Sequence, residues 1–133
     1  MVSTSEIEKI DDGFFAALNA MFEGDVAPME ALWSHADDVI YMGPSPDLFH
    51  VGWKVTDQDW VAQGRAHLGG SIKVLNRHVV VGDTLATVHH VAEASGQGDG
   101  AGIRMRGTNV YRHEGGAWKL IAHHSDPLPY IDL

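Results

Sequence analysis

Apolar residues recur every three or four positions over residues 4–23, at Ile7, Ile10, Phe14, Leu18 and Met21, with Phe15 and Phe22 widening the stripe. That spacing is the period of a helix with one buried face. Ser3 with Glu6, or Ser5 with Glu8, supplies a capping-box start, and Gly24 supplies the stop. Asp25 can then cap a short second helix through Met29, Leu32 and Trp33, with Pro28 tolerated in its first turn. From Asp38 the pattern changes to a short strand, Val39 to Met42, ended by Gly43-Pro44-Ser45-Pro46. Residues 47–55 read as a loop or edge strand. Thr56 followed by Asp59 opens a third helix through Trp60 and Gly64 to His67 or Leu68, closing at Gly69-Gly70.

The remainder reads as strand, over residues 72–81, 84–95, 102–113 and 117–126. Gly82-Asp83 makes a tight turn, SGQGDGAG a long mobile one, and Glu114-Gly115-Gly116 a hairpin turn. Helices first and strands afterwards indicate an α+β fold, with helices packed on one face of a strongly curved antiparallel sheet. The tail PLPYIDL has two prolines and three apolar anchors, so it suits covering an opening or a partner better than extending the sheet.

Side chains alternate faces along a strand, so each strand of the hairpin divides into two sets. Trp118, Leu120, Ala122, His124 and Asp126 share one side, and Lys119, Ile121, His123 and Ser125 the other. Lysine is the least buried of these types, so the first set is expected to face inward. On the preceding strand the same logic turns Met105, Gly107, Asn109 and Tyr111 inward and Arg104, Arg106, Thr108, Val110 and Arg112 outward. His124 becomes the acid–base candidate because imidazole titrates near neutrality, and Asp126 could orient it. Tyr41 offers a hydroxyl to a ligand carbonyl, or simply satisfies that hydroxyl in a core. Asn109 and Tyr111 suit a pocket wall, and Trp53, Trp60, Met105, His90 and Trp118 suit its lining, although tryptophan in a small domain is more often plain core.

Nine histidines raise the question of a metal. The adjacent pairs His89-His90 and His123-His124 send their rings to opposite faces and cannot chelate one ion together. Convergence of His90 with His124, joined by Asp126 or Glu93, is the remaining route, and zinc needs three placed ligands, so no metal is expected. At 133 residues the chain is expected to form one domain, residues 1–133. A net charge of −9 argues against nucleic acid, and no run is apolar enough to span a membrane. With no cysteine there is neither a disulfide framework nor a thiolate nucleophile. The acidic N-terminus lacks the features of a signal peptide, which leaves the cytoplasm as the default location.

Arg106, Thr108, Val110, Tyr111, Arg112, Gly116, Trp118, Lys119, His123, His124 and Ser125, together with Leu32-Trp33, Asp38, Tyr41, Gly43-Pro44 and Gly52 upstream, form a family-like pattern. In it the chain resembles the nuclear transport factor 2-like superfamily, most of all its SnoaL-like branch. It is also similar to the association domain of calcium/calmodulin-dependent kinase II. The resemblance implies a cone-shaped barrel whose first helix closes the narrow side around a cavity. It also implies a homodimer through the outer sheet face, which Arg104, Thr108, Val110, Arg112 and Ile121 would fit. Two functions follow from it. One is cofactor-free isomerase, dehydratase or cyclase chemistry on an apolar polyketide- or steroid-like molecule, with His124 and Tyr41 echoing the histidine and tyrosine of the dehydratases. The other is a noncatalytic ligand-binding or dimerisation module. The hairpin arginine of the kinase association domain corresponds to Asn109 here.

Overall fold

The computed structural model describes residues 2–43, 45, 47–96 and 102–127. The centre of the SGQGDGAG loop and all of the tail after Pro127 lie outside them. Helix α1 spans Thr4–Phe22, and the Ser3 hydroxyl accepts the Glu6 N–H at 3.2 Å, as the capping pattern predicts. It ends where Gly24 takes a φ of +99°. Helix α2 (Ala27–Leu32) follows, with the Asp25 carboxylate accepting the Ala27 N–H at 3.2 Å. Strands β1 (Ile40–Met42) and β2 (His50–Val51) precede helix α3 (Trp53–Arg65). That helix begins three residues before the expected Thr56. Gly52 turns the chain with a φ of +100°, and Thr56, inside the first turn, donates its hydroxyl back to the Gly52 carbonyl at 2.8 Å.

Strands β3 (Ser71–Val81), β4 (Leu85–Ser95), β5 (Ile103–Glu114) and β6 (Ala117–Pro127) form an antiparallel meander close to the predicted boundaries. The six strands lie in the order β2-β1-β6-β5-β4-β3. The sheet is curved and not closed, and it is mixed: β1 runs parallel to β6. The connection between them, with α3 and four intervening strands, is long enough to permit that pairing. Helix α1 covers the inner sheet face, where Phe14, Phe15 and Leu18 join Val88, Ala92, Tyr111 and Leu120 in one core with Trp33, Tyr41 and Trp60.

Two bulges decide which side chains enter that core. In β6, Val110 pairs with Ala122 but Tyr111 pairs with Leu120, leaving Ile121 as an extra residue. In β3, Val74 pairs with Ala92 but Asn76 pairs with Val91, leaving Leu75 as the extra residue. A one-residue slip moves every following side chain to the opposite face. Leu120 therefore remains inside as expected, but beyond Ile121 the faces exchange. His123 and Ser125 are buried, and His124 and Asp126 are exposed. The inward assignment of His124 and Asp126 is overturned for this reason. In β3 the same device turns Arg77 inward.

The β5–β6 hairpin closes through Gly115 and Gly116, with φ of +58° and +83° between the paired Glu114 and Ala117. These left-handed values suit a two-residue turn matched to the strand twist. Gly115→Ala and Gly116→Ala should each lower stability by about 1 kcal/mol, since an added Cβ meets open space and only backbone strain is introduced. Urea unfolding monitored by tryptophan fluorescence checks this, with the midpoint falling and the slope unchanged.

Candidate functional site

Asp11 sits on the buried stripe of α1 and is fully enclosed. An unpaired carboxylate there would be very costly, so its partners define the site. Its Oδ1 accepts the Tyr111 hydroxyl at 2.7 Å and the Asn109 amide N–H at 2.8 Å. Its Oδ2 accepts from the Arg77 guanidinium at 3.3 Å, and Arg77 also donates to Asp12 at 2.7 Å. Asn109 thus turns its NH₂ to the carboxylate and its carbonyl oxygen to His123, whose Nδ1 lies 2.6 Å away. A carboxylate only accepts, so this chain of bonds sets the histidine tautomer: Nδ1 carries the proton and Nε2 keeps its lone pair. Burial, reinforced by the neighbouring His90 and His124, pushes the His123 pKa down to about 3. The ring is neutral and packs against Phe14, with centroids 4.8 Å apart.

His123 lines a cavity of about 150 Å³ whose apolar wall includes Phe14, Phe15, Phe22, Trp60 and Met105. Its polar members are Tyr41, Gln63, His90, His123 and Ser125. Tyr41 stacks on Trp60 at 4.4 Å, and its centroid lies 5.9 Å from that of His123. The Gln63 amide donates to the Tyr41 oxygen at 2.8 Å, and the hydroxyl's own proton has no acceptor among the described residues. Burial raises the Tyr41 pKa, so the hydroxyl is a neutral donor. His90 presses its ring edge against Phe15 at 5.1 Å, and its buried Nδ1 has no partner among the described residues. Burial also lowers its pKa. The ring occupies space left by Gly107, where a Cβ would come within 2.5 Å of its Nε2.

Of the residues expected to form the site, Tyr41, Trp60, Met105 and His90 line this cavity. Asn109 and Tyr111 lie beneath it, holding Asp11. The others fall elsewhere. His124 and Asp126 do bond to each other, at 2.6 Å, but on the outer face of the sheet. Trp53 stacks on His35 at 4.3 Å and borders a separate cleft with Asp37, Val51 and Lys54. Trp118 packs edge-on against His113 at 5.2 Å, near the β3–β4 turn. His90 and His124 lie on opposite faces, so the two do not converge as a shared site would require. Among the described residues no three His, Cys, Asp or Glu side chains gather to hold a metal.

The sequence reading missed Asp11, Arg77, Gln63, His123 and Ser125. Asp11 had a usable signal, because the stripe runs Ile7, Asp11, Phe14, Leu18, Met21 and places one acid among apolar neighbours. The inward turn of Arg77 and His123 had none, since each depends on a bulge.

A curved open sheet with helices closing its inner face over a small, polar-tipped cavity defines a class of α+β pocket folds. The chain belongs to the SnoaL-like domain family, whose model matches residues 10–130. Solved structures share the fold. A candidate calcium/calmodulin-dependent protein kinase type II association domain from Thiobacillus denitrificans is 24% identical, covering 91% of this chain and 94% of its own, with a TM-score of 0.79. A candidate ketosteroid isomerase from Parabacteroides distasonis is 19% identical, with coverage of 95% and 88% and a TM-score of 0.71. A candidate NTF2-like dehydratase from Streptomyces avermitilis is 21% identical, with coverage of 95% and 99% and a TM-score of 0.69. No curated protein matches the sequence. Among the described residues no helix is long and apolar enough to cross a membrane.

Asp11→Ala should cost about 3–5 kcal/mol, because it strands the buried donors of Asn109 and Tyr111 and removes one carboxylate from Arg77. Chemical denaturation measures that loss. A second outcome concerns pH. The His123 pKa is lower folded than unfolded, so between about 6.5 and about 3 the unfolded chain binds the extra proton. Stability is present in full above about pH 6.5 and falls as pH drops, by about 1.4 kcal/mol per unit from His123, with His90 adding in the same sense. Melting curves from pH 8 to 5 should show the decline, and His123→Gln should flatten it.

Proposed function

We propose that the cavity binds a small carbonyl compound and that His123 moves a proton on it while Tyr41 holds the carbonyl oxygen. The observation carrying this reading is that one apolar cavity is lined both by a histidine whose Nε2 lone pair and by a tyrosine whose O–H have no partner among the described residues. Tyr41 would donate to the oxygen on which negative charge develops, and Nε2 would take the proton from the adjacent carbon. Gln63 fixes the direction of the Tyr41 hydroxyl, and Asp11 acts through Asn109 to fix the imidazole. The chemistry is the proton transfer shared by isomerases, dehydratases and cyclases, and it assigns no role to a cofactor.

Cavity size narrows the substrate. Sites for drug-sized ligands run to about 300–1,000 Å³, so about 150 Å³ suits one ring or a short chain better than a steroid or a polycyclic polyketide. A noncatalytic binding module is the second reading, and the low His123 pKa favours it. A histidine that resists protonation is a weak base, and it becomes effective only when a nearby oxyanion offsets the imidazolium.

The test uses 2-cyclohexenone in D₂O, with proton NMR following exchange of its acidic C–H protons. The native protein should accelerate exchange. His123→Gln and Tyr41→Phe should each lower the acceleration by about 10²–10⁴-fold, and His124→Gln should leave it unchanged. Because the base is already neutral, the rate should show no inflection near pH 6.5. Saturable binding without exchange would establish the binding module instead, and absence of binding by any small ketone would overturn the pocket reading.

A further inference from the structure

The inner face of the sheet carries two polar rungs, and the proton transfer engages only one. On that rung Tyr41 of β1 lies opposite His123 of β6, and His123 opposite Asn109 of β5. On the next, His90 of β4 lies opposite Gly107 of β5, and Gly107 opposite Ser125 of β6. His90 and Ser125 are 7% and 6% exposed, and both line the cavity of about 150 Å³. The rungs are two residues apart along each strand, about 6.6 Å.

His90 is the unsatisfied member of the second rung. Its buried Nδ1 has no hydrogen-bond partner among the described residues, although a buried polar atom ordinarily finds one. Gly107 makes room for the ring, since a Cβ there would come within 2.5 Å of Nε2 and 2.9 Å of Cε1. The imidazole therefore lies over β5, on the path from β4 to Ser125. Burial lowers the His90 pKa, so the ring is neutral, with one nitrogen donating and the other accepting. A hydroxyl group both donates and accepts, so it satisfies either nitrogen and the Ser125 hydroxyl as well. A carboxylate does not suit this place, because no lysine or arginine lines the cavity.

We propose that His90 and Ser125 form a second polar subsite that holds a hydroxyl group of the substrate. Given a carbonyl oxygen at Tyr41, the substrate is then a small hydroxy ketone whose two oxygens stand on opposite sides of one ring, an assignment that rests on the function proposed above. Tyr41 and His90 enter from β1 and β4, with β6 and β5 between them. At about 4.8 Å per strand spacing their backbones are roughly 14 Å apart, and the inward side chains shorten that span. Phe14, Phe15 and Met105 supply apolar wall for the ring carbons. His90 thus selects the substrate and takes no part in the proton transfer.

Titration calorimetry of the full chain with cyclohexanone, 4-methylcyclohexanone and 4-hydroxycyclohexanone tests this, with proton NMR following C–H exchange of the same ketones in D₂O. The native protein should bind the hydroxy ketone about 10-fold more tightly than the other two. His90→Leu and Ser125→Ala should each reduce that preference, and His90→Leu should abolish it. Circular dichroism checks both variants. His90→Leu should fold, because it replaces an unpartnered polar ring with an apolar side chain of similar size, and Ser125→Ala gives an independent reading. Equal affinity for the hydroxy and methyl ketones, or a preference that survives both substitutions, would overturn the subsite. A preference without exchange would support the subsite and remove the proton-transfer role of His123. Binding of none of the three would overturn the cavity as a ligand site, and the subsite with it.

Discussion

The buried carboxylate of Asp11 is the constraint on which the interior depends. It enters the core on a helix stripe that is otherwise apolar, and it is tolerable only because Tyr111, Asn109 and Arg77 converge on it from two different strands. Those three bonds tie α1 to β3 and β5 at one place. They also transmit orientation: with its NH₂ committed to Asp11, Asn109 has only its carbonyl to offer His123. An ionised group at the centre of the molecule thus determines which nitrogen of a second, neutral group keeps its lone pair.

That convergence relies on two interruptions of regular strand geometry. The extra Leu75 in β3 turns Arg77 toward α1, and the extra Ile121 in β6 turns His123 toward Asn109. Without the first, Arg77 would face outward and Asp11 would lose its cation. Without the second, His124 would stand where His123 stands, and the imidazole next to the cavity would come from a different residue. Bulges commonly re-aim side chains near functional sites, and here both serve the same buried network. Gly107 contributes by omission, since its missing side chain is the space that the His90 ring occupies.

The two faces of the sheet put histidine in opposite circumstances. Inside, His90 and His123 are desolvated, and their pKa values fall. Outside, His78, His89 and His124 lie in water beside hydroxyls and a carboxylate. Burial makes the inner pair fixed neutral elements of a cavity, whereas the outer three keep their contact with water. The same residue type thus serves as a polar tip in an apolar pocket and as part of an exposed polar surface.

Local pattern was enough for most of the architecture. The stripe from Ile7 to Met21, the Ser3 cap, the glycine turns and the alternation in the last four strands are short-range signals, and they placed α1 and β3 to β6 within a few residues. The inward Asn109 and Tyr111 were legible because β5 keeps an unbroken period of two from Met105 to Tyr111. The SnoaL-like resemblance read from the hairpin and upstream residues agrees with the family match. The parallel pairing of β1 with β6 was not legible, because nothing within three residues of strand states which neighbour it will join. Neither was the identity of the pocket histidine. His123 and His124 are adjacent and chemically identical in sequence, and the choice between them is made by Ile121 slipping against β5, a consequence of pairing between strands that no alternation within one strand encodes.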